Sequence, residues 1–238
     1  MNIFDIGIIL FIIMSMIVCA KQGLIKSAVS LVGIILVFII ALTFKEQLGN
    51  FLCKHLPFFN FSGNLEGLVS INILIYQLLA FIIIIAILLS IYALIMSISG
   101  LLQKIVNATI ILKLPSAIAG SIIGLIEGYI LTFIILLLLV LPCKNLDLFN
   151  DSKLVNTILY KTPIISEKSS NITNSISDIY TIADKVVNKR IDTNTANLEI
   201  IDAMIKYDVT SVHTVEQLVV LDKLKSVKGV DKVINKYK

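Results

Sequence analysis

The chain has no tryptophan, only four prolines and three cysteines among 238 residues, and its first 142 positions hold only ten Asp, Glu, Lys or Arg residues. Each scarcity excludes something. Cys19, Cys53 and Cys143 stand singly, with no CxxC pair and no histidine cluster beside them, so a disulfide framework and a zinc site are both disfavoured. His55 and His213 are isolated. HExxH, GxSxG, Walker A and Rossmann glycine patterns are missing, so the sequence offers no catalytic, cofactor-binding or metal-binding residues, and no enzyme is expected. A net charge of +4 is too modest to imply nucleic acid as a partner.

The shortage of charge is matched by an excess of hydrocarbon. Hydrophobic residues make up 57% of the chain and its mean hydropathy is +0.96, whereas soluble domains hold about 45–50% apolar residues. Four stretches, at 3–20, 27–44, 68–99 and 114–142, reach or approach the roughly 20 residues that cross a hydrocarbon layer about 30 Å thick. The expected fold is all-α: a polytopic membrane protein with four transmembrane helices and a small helical C-terminal extramembrane segment. Three regions follow from composition: a four-helix transmembrane domain at 1–142, a polar linker with an amphipathic helix at 143–194, and a small helical segment at 195–238.

Charge also bears on orientation. Asp5 precedes the first apolar run and Lys21 follows it, the reverse of a cleavable signal peptide. Lys21 and Lys26 crowd the loop after the first span, which places that loop in the cytoplasm and the N-terminus outside. Four spans then return the C-terminal segment to the outside. On that topology Cys53 and Cys143 share a face, where a single bridge between them is allowed but disfavoured.

Within the spans, polar and small residues single themselves out. Ser116, Gly120, Gly124 and Gly128 recur every four residues. In lipid, small residues let backbones approach, so this stripe is a helix-packing face, either within one molecule or between copies in a homo-oligomer. Glu127 is the only acid deep in a span, where an ionised side chain costs at least about 2.5–3.5 kcal/mol. It is expected to pair with a polar group on another span; the alternative is a small transporter or channel that uses Glu127 and the glycine-striped fourth span as its pathway. Asp5 is expected to cap the first helix, and residues 101–107 to form a short helix lying flat on the membrane.

Beyond Pro142 the composition turns polar. Ile172, Ile176, Ile179, Ala183 and Val186 mark an amphipathic helix with a narrow seam, suited to a partner helix. After a break at 191–194, Leu198, Ile201 and Ile205 mark a second helix; Thr214 and Gln217 read as a capping box opening a third. Gly229 precedes a last helix. These pieces carry little apolar surface and are expected to lean on one another, on the bilayer or on a membrane or envelope protein partner.

Two places go beyond generic membrane pattern. The opening Asn2-Ile3-Phe4-Asp5-Ile6, then Lys21-Gln22-Gly23-Leu24-Ile25-Lys26 and Ser30-Leu31, resembles the start of the CvpA family, the colicin V production proteins. Asp5, Gly23, Lys26 and Ser30 carry that likeness. The glycine-spaced fourth span from Gly120 to Gly128 is similar to the family's glycine signature, so the likeness covers roughly residues 1–142. Ser116-Ala117 and Glu127 stand where the family often has an acid or Asn followed by Arg, and a basic residue. The resemblance implies a four-span bacterial plasma-membrane protein associated with toxin (bacteriocin) production or secretion and with envelope homeostasis; the expected role is that of a membrane scaffold.

Overall fold

The structure, a computed structural model, describes the backbone of residues 2–107, 110–143, 146–161 and 166–238, and their side chains except at 64, 98–113, 141–142 and 166–170. Among the described residues there is no strand. Helices α1 (Ile3–Gln22), α2 (Leu24–His55), α3 (Ile71–Asn107) and α4 (Ile110–Cys143) are long and apolar enough to cross a membrane, and the chain is an all-α, multi-pass membrane protein. Their many isoleucines would disfavour a helix in water, because β-branching restricts rotamers. In hydrocarbon only a helix satisfies every N–H and C=O within one segment, so the solvent overrides the propensity.

The helices outrun their apolar windows. The surface helix expected at 101–107 is the C-terminal end of α3 and no separate element; its side chains lie outside the described residues. After α4 come α5 (Asp147–Asn150), α6 (Lys153–Lys161), α7 (Ser166–Val187), α8 (Thr193–Lys206), α9 (Val212–Val220) and α10 (Val230–Lys236). Two expected starts are corrected. The second tail helix resumes at Thr193, because the Asp192 carboxylate accepts from the N–H groups of Asn194 and Thr195. The cap of α9 is Ser211 and not Thr214, since Ser211 Oγ accepts from Thr214 N–H at 3.3 Å. Starting there lets one face of the helix bury Thr214, Val215 and Leu218 together.

The chain forms two compact units. One comprises Met1–Ala41 and Ile85–Ser166. In it α1 and α4 run antiparallel, with Gly120 against Cys19 and Gly23, Gly124 against Ser15, Met16 and Cys19, and Gly128 against Ile12 and Ser15. Phe38 and Phe133 meet edge to face at 5.8 Å. At the start of α1 the cap is Asn2 rather than Asp5: its side chain accepts from Asp5 N–H, and Asp5 Oδ2 accepts from Asn2 N–H at 2.9 Å. Asp5 is the third helical residue of a capping box, three positions too late to be the cap itself.

The other unit comprises Leu42–Ile84 and Glu167–Lys238. Ile73, Tyr76 and Phe81 of α3 are buried in it, as are Ile176 and Ile179 of α7, Ile200 and Met204 of α8, Leu218 of α9 and Ile234 of α10. Asn197 of α8 fastens the tail to the α2–α3 connection: its Oδ1 accepts from Ser70 N–H at 2.9 Å, and its Nδ2 donates to the carbonyls of Gly67 at 2.8 Å and Thr193 at 2.9 Å. Each fully buried aliphatic side chain contributes about 1.5–3 kcal/mol, so residues of α3 and of the tail helices both build the core of this unit. All three cysteines are free; the allowed Cys53–Cys143 bridge is not formed.

Candidate functional site

The polar residues of the spans gather inside the first unit, beginning at the turn between α1 and α2. A single residue, Gly23, separates the two helices, with φ 80° and ψ 175°. That positive φ suits glycine, which lacks the Cβ that would clash there. The Cys19 carbonyl accepts from Gly23 N–H at 2.9 Å and from Ser27 Oγ at 2.9 Å. Leu24 N–H, at the first position of α2 and so without an intrahelical acceptor, donates to Ser116 Oγ at 2.9 Å. The first member of the small-residue stripe therefore caps another helix, while its next member, Gly120, lies against the Cys19 carbonyl. Lys26 is half-buried on the first turn of α2.

One turn along α4 from Gly124, Glu127 is 7% exposed. Its Oε1 accepts from Ser30 Oγ of α2 at 2.8 Å and its Oε2 from Cys19 Sγ of α1 at 3.5 Å. Tyr92 of α3 completes the arrangement, its hydroxyl 2.5 Å from Ser30 Oγ. A serine has one hydrogen to give; with that hydrogen on Glu127, Tyr92 is the donor to Ser30. Tyr92 reaches this position across Gly33, where a Cβ would stand 2.6 Å from the ring carbons. One side chain from each of the four long helices thus meets in a single buried node. An interhelical hydrogen bond in a membrane contributes about 0.6 kcal/mol on average and up to about 1.7 kcal/mol, so the node offsets part of the cost of placing the carboxyl group in hydrocarbon.

Glu127 and Ser30, both singled out by sequence, are brought into contact; Gly23, Ser116 and Gly120 meet at the turn below them. Cys19 and Tyr92 were missed. Tyr92 left a signal, as a lone phenol in an aliphatic run with only Ser90 for polar company between Ile82 and Met96. Asp5 is not part of the node. It lies fourteen residues back along α1, about 21 Å away at 1.5 Å per residue. There its Oδ1 accepts from Ser152 Oγ at 2.5 Å and from Leu154 N–H at 3.1 Å, while Ser152 Oγ accepts from Val155 N–H at 3.1 Å. Asp5 and Ser152 together cap α6, so the early acid holds the chain that leaves the fourth span. Among the described residues no three His, Cys, Asp or Glu side chains are grouped to hold a metal ion.

The family model for the Colicin V production protein matches residues 4–163. The match runs past the four long helices through α6, and so takes in both Asp5 and its partner Ser152; α7 to α10 lie outside it. No curated protein and no solved structure matches the chain.

Proposed function

The chain belongs to the Colicin V production protein family, and on that premise we propose that it is a plasma-membrane scaffold in bacteria that supports toxin production or secretion, or envelope upkeep, without being an enzyme. The observation that carries this reading is an exposed apolar pair on the second unit. Val220 is 83% exposed and Leu221 47% exposed, with one residue, Asp222, between the pair and Lys223. Lys223 Nζ donates to the Leu56 carbonyl at 2.8 Å and lies 5.5 Å from the centre of the Phe58 ring, so the pair is carried on a fixed base. We read this pair, held in the open on the folded unit, as the place where a partner protein docks. A photo-crosslinking residue at Val220 should give a discrete adduct in intact cells, and one at His213, at the opposite end of α9, should not. Absence of any Val220 adduct would remove the support for a scaffold.

The proposed topology puts both termini outside. That the N-terminus and the end of α4 share one side is supported by Asp5 holding Ser152, which brings the first turn of α1 beside the chain just after α4; that the side is the outer one rests on Lys21 and Lys26 following the first span. Reporter fusions at Lys238 read this directly. The transport alternative finds less support, because both oxygens of Glu127 are engaged in joining helices. Purified protein in liposomes should show no proton flux, in the wild type or in Glu127→Gln. A wild-type flux that Glu127→Gln abolishes would return this residue to a pathway.

A further inference from the structure

We infer that lipid meets α2 only up to about Phe44 and α3 only from about Ile82, so that the apolar residues 71–81 are the core of a water-facing unit and not part of a membrane span. Hydropathy alone extends the third span over Ile71–Ser97. Three observations on these helices disagree with it.

The first is length. Helix α1 has 20 residues, about 30 Å at 1.5 Å each, which matches the hydrocarbon layer. Helix α2 has 32, about 48 Å, and begins one residue after α1 ends. Twenty residues from Leu24 the hydrocarbon is spent, and there Phe44 gives way to Lys45 and Glu46. The rest of α2 carries Asn50, Lys54 and His55.

The second is register. Gly33 of α2 faces Tyr92 of α3, and Gly49 of α2 faces Gln77 of α3. Five residues back along α2 from Gly49 and five on along α3 from Gln77, Phe44 stands level with Ile82.

The third is the kind of surface that covers the helix. Ile73, Leu74, Tyr76, Ala80 and Phe81 are each 4% exposed or less, and in this stretch only Leu79 is open, at 38%, whereas Ile82, Ile87, Ile91 and Leu94 are 43–70% exposed. Protein covers the former, and an exposed aliphatic face as dense as the latter is what a span presents to lipid. The polar side chains fall on the same side of this change. Asn72 accepts from Phe59 N–H at 2.7 Å and donates to the Phe59 and Val69 carbonyls, and Gln77 donates to Asn50 at 3.0 Å. Such groups are expensive in hydrocarbon and ordinary in a water-facing unit.

The absence of native tryptophan makes the test free of background. Single substitutions Ile39→Trp and Phe51→Trp, 52% and 55% exposed and about 18 Å apart along α2, go into liposomes of phosphatidylcholine and phosphatidylglycerol brominated on the acyl chains. Ile87→Trp reports on α3 beyond the boundary, and Val220→Trp gives a second reading on the water-facing unit. Ile39→Trp and Ile87→Trp should lose most of their emission relative to unbrominated vesicles; Phe51→Trp and Val220→Trp should lose none. Quenching of Phe51→Trp or Val220→Trp as strong as that of Ile39→Trp would overturn the inference.

Discussion

Ser30 of α2 gives its hydroxyl hydrogen to Glu127 of α4 across 2.8 Å, 97 positions later in the chain. Interhelical hydrogen bonds in membranes contribute about 0.6 kcal/mol on average and up to about 1.7 kcal/mol. A double-mutant cycle of Ser30→Ala and Glu127→Ala, followed by reversible unfolding in mixed micelles, should give a coupling of about 1 kcal/mol. Strict additivity would mean that the contact joins nothing.

Two glycines of this bundle should respond in opposite directions to the same substitution. A Cβ at Gly124 would lie 2.7 Å from the Ser15 carbonyl oxygen and 2.9 Å from Met16 Cα, backbone atoms that cannot turn aside. Gly124→Ala should cost about 1–3 kcal/mol through overpacking. At Gly7, where nothing lies within 4 Å, alanine should instead add about 0.5–1 kcal/mol by stiffening the unfolded chain. Unfolding midpoints of the two variants, one falling and one rising, provide the check.

Asn197 should be replaceable neither by alanine nor by aspartate. Alanine leaves the buried Ser70 N–H without its partner, a loss of about 1–3 kcal/mol, and leaves the exposed Gly67 carbonyl to water. Aspartate keeps the acceptor for Ser70 but cannot donate to Gly67. Limited proteolysis should therefore release the tail fastest in Asn197→Ala, more slowly in Asn197→Asp and slowest in the wild type. Equal rates in all three would show that this contact does not hold the tail.

The start of α8 should loosen in acid. Asp192 is held below the ordinary carboxylate range, first by the Thr195 hydroxyl and then by the Thr195 N–H. A carboxyl group lowered by folding stabilises the fold above its unfolded value, about 3.9, and that contribution disappears as pH falls through the lowered value. Lys238 lowers Glu216 of α9 in the same direction. Hydrogen-exchange protection of the first turn of α8 should therefore decline in this acidic window. In Asp192→Asn, whose amide oxygen still caps the helix, the decline should be absent.

The four long helices, the glycine stripe and the solitary acid were legible because lipid leaves few ways to place a glycine or a carboxyl group. What covers an apolar residue was not legible. Ile73 and Ile87 have the same side chain, yet one faces protein and the other lies open, and no local pattern separates them. The role of Asp5 was half visible: its position at a helix start was evident, but its main partner, Ser152, is 147 residues away. For α9 a serine three residues upstream outcompeted the Thr214 capping pattern, a choice made by which face of the helix the core could accept.

The bond from Leu24 to Ser116 gives the bundle an order of assembly. The opening hairpin emerges from the ribosome with one amide of its bend unanswered, and the hydroxyl that answers it is synthesised 92 residues later. The earliest turn is thus completed by a side chain of the last long helix, and in a chain truncated before Ser116 water would have to answer that amide.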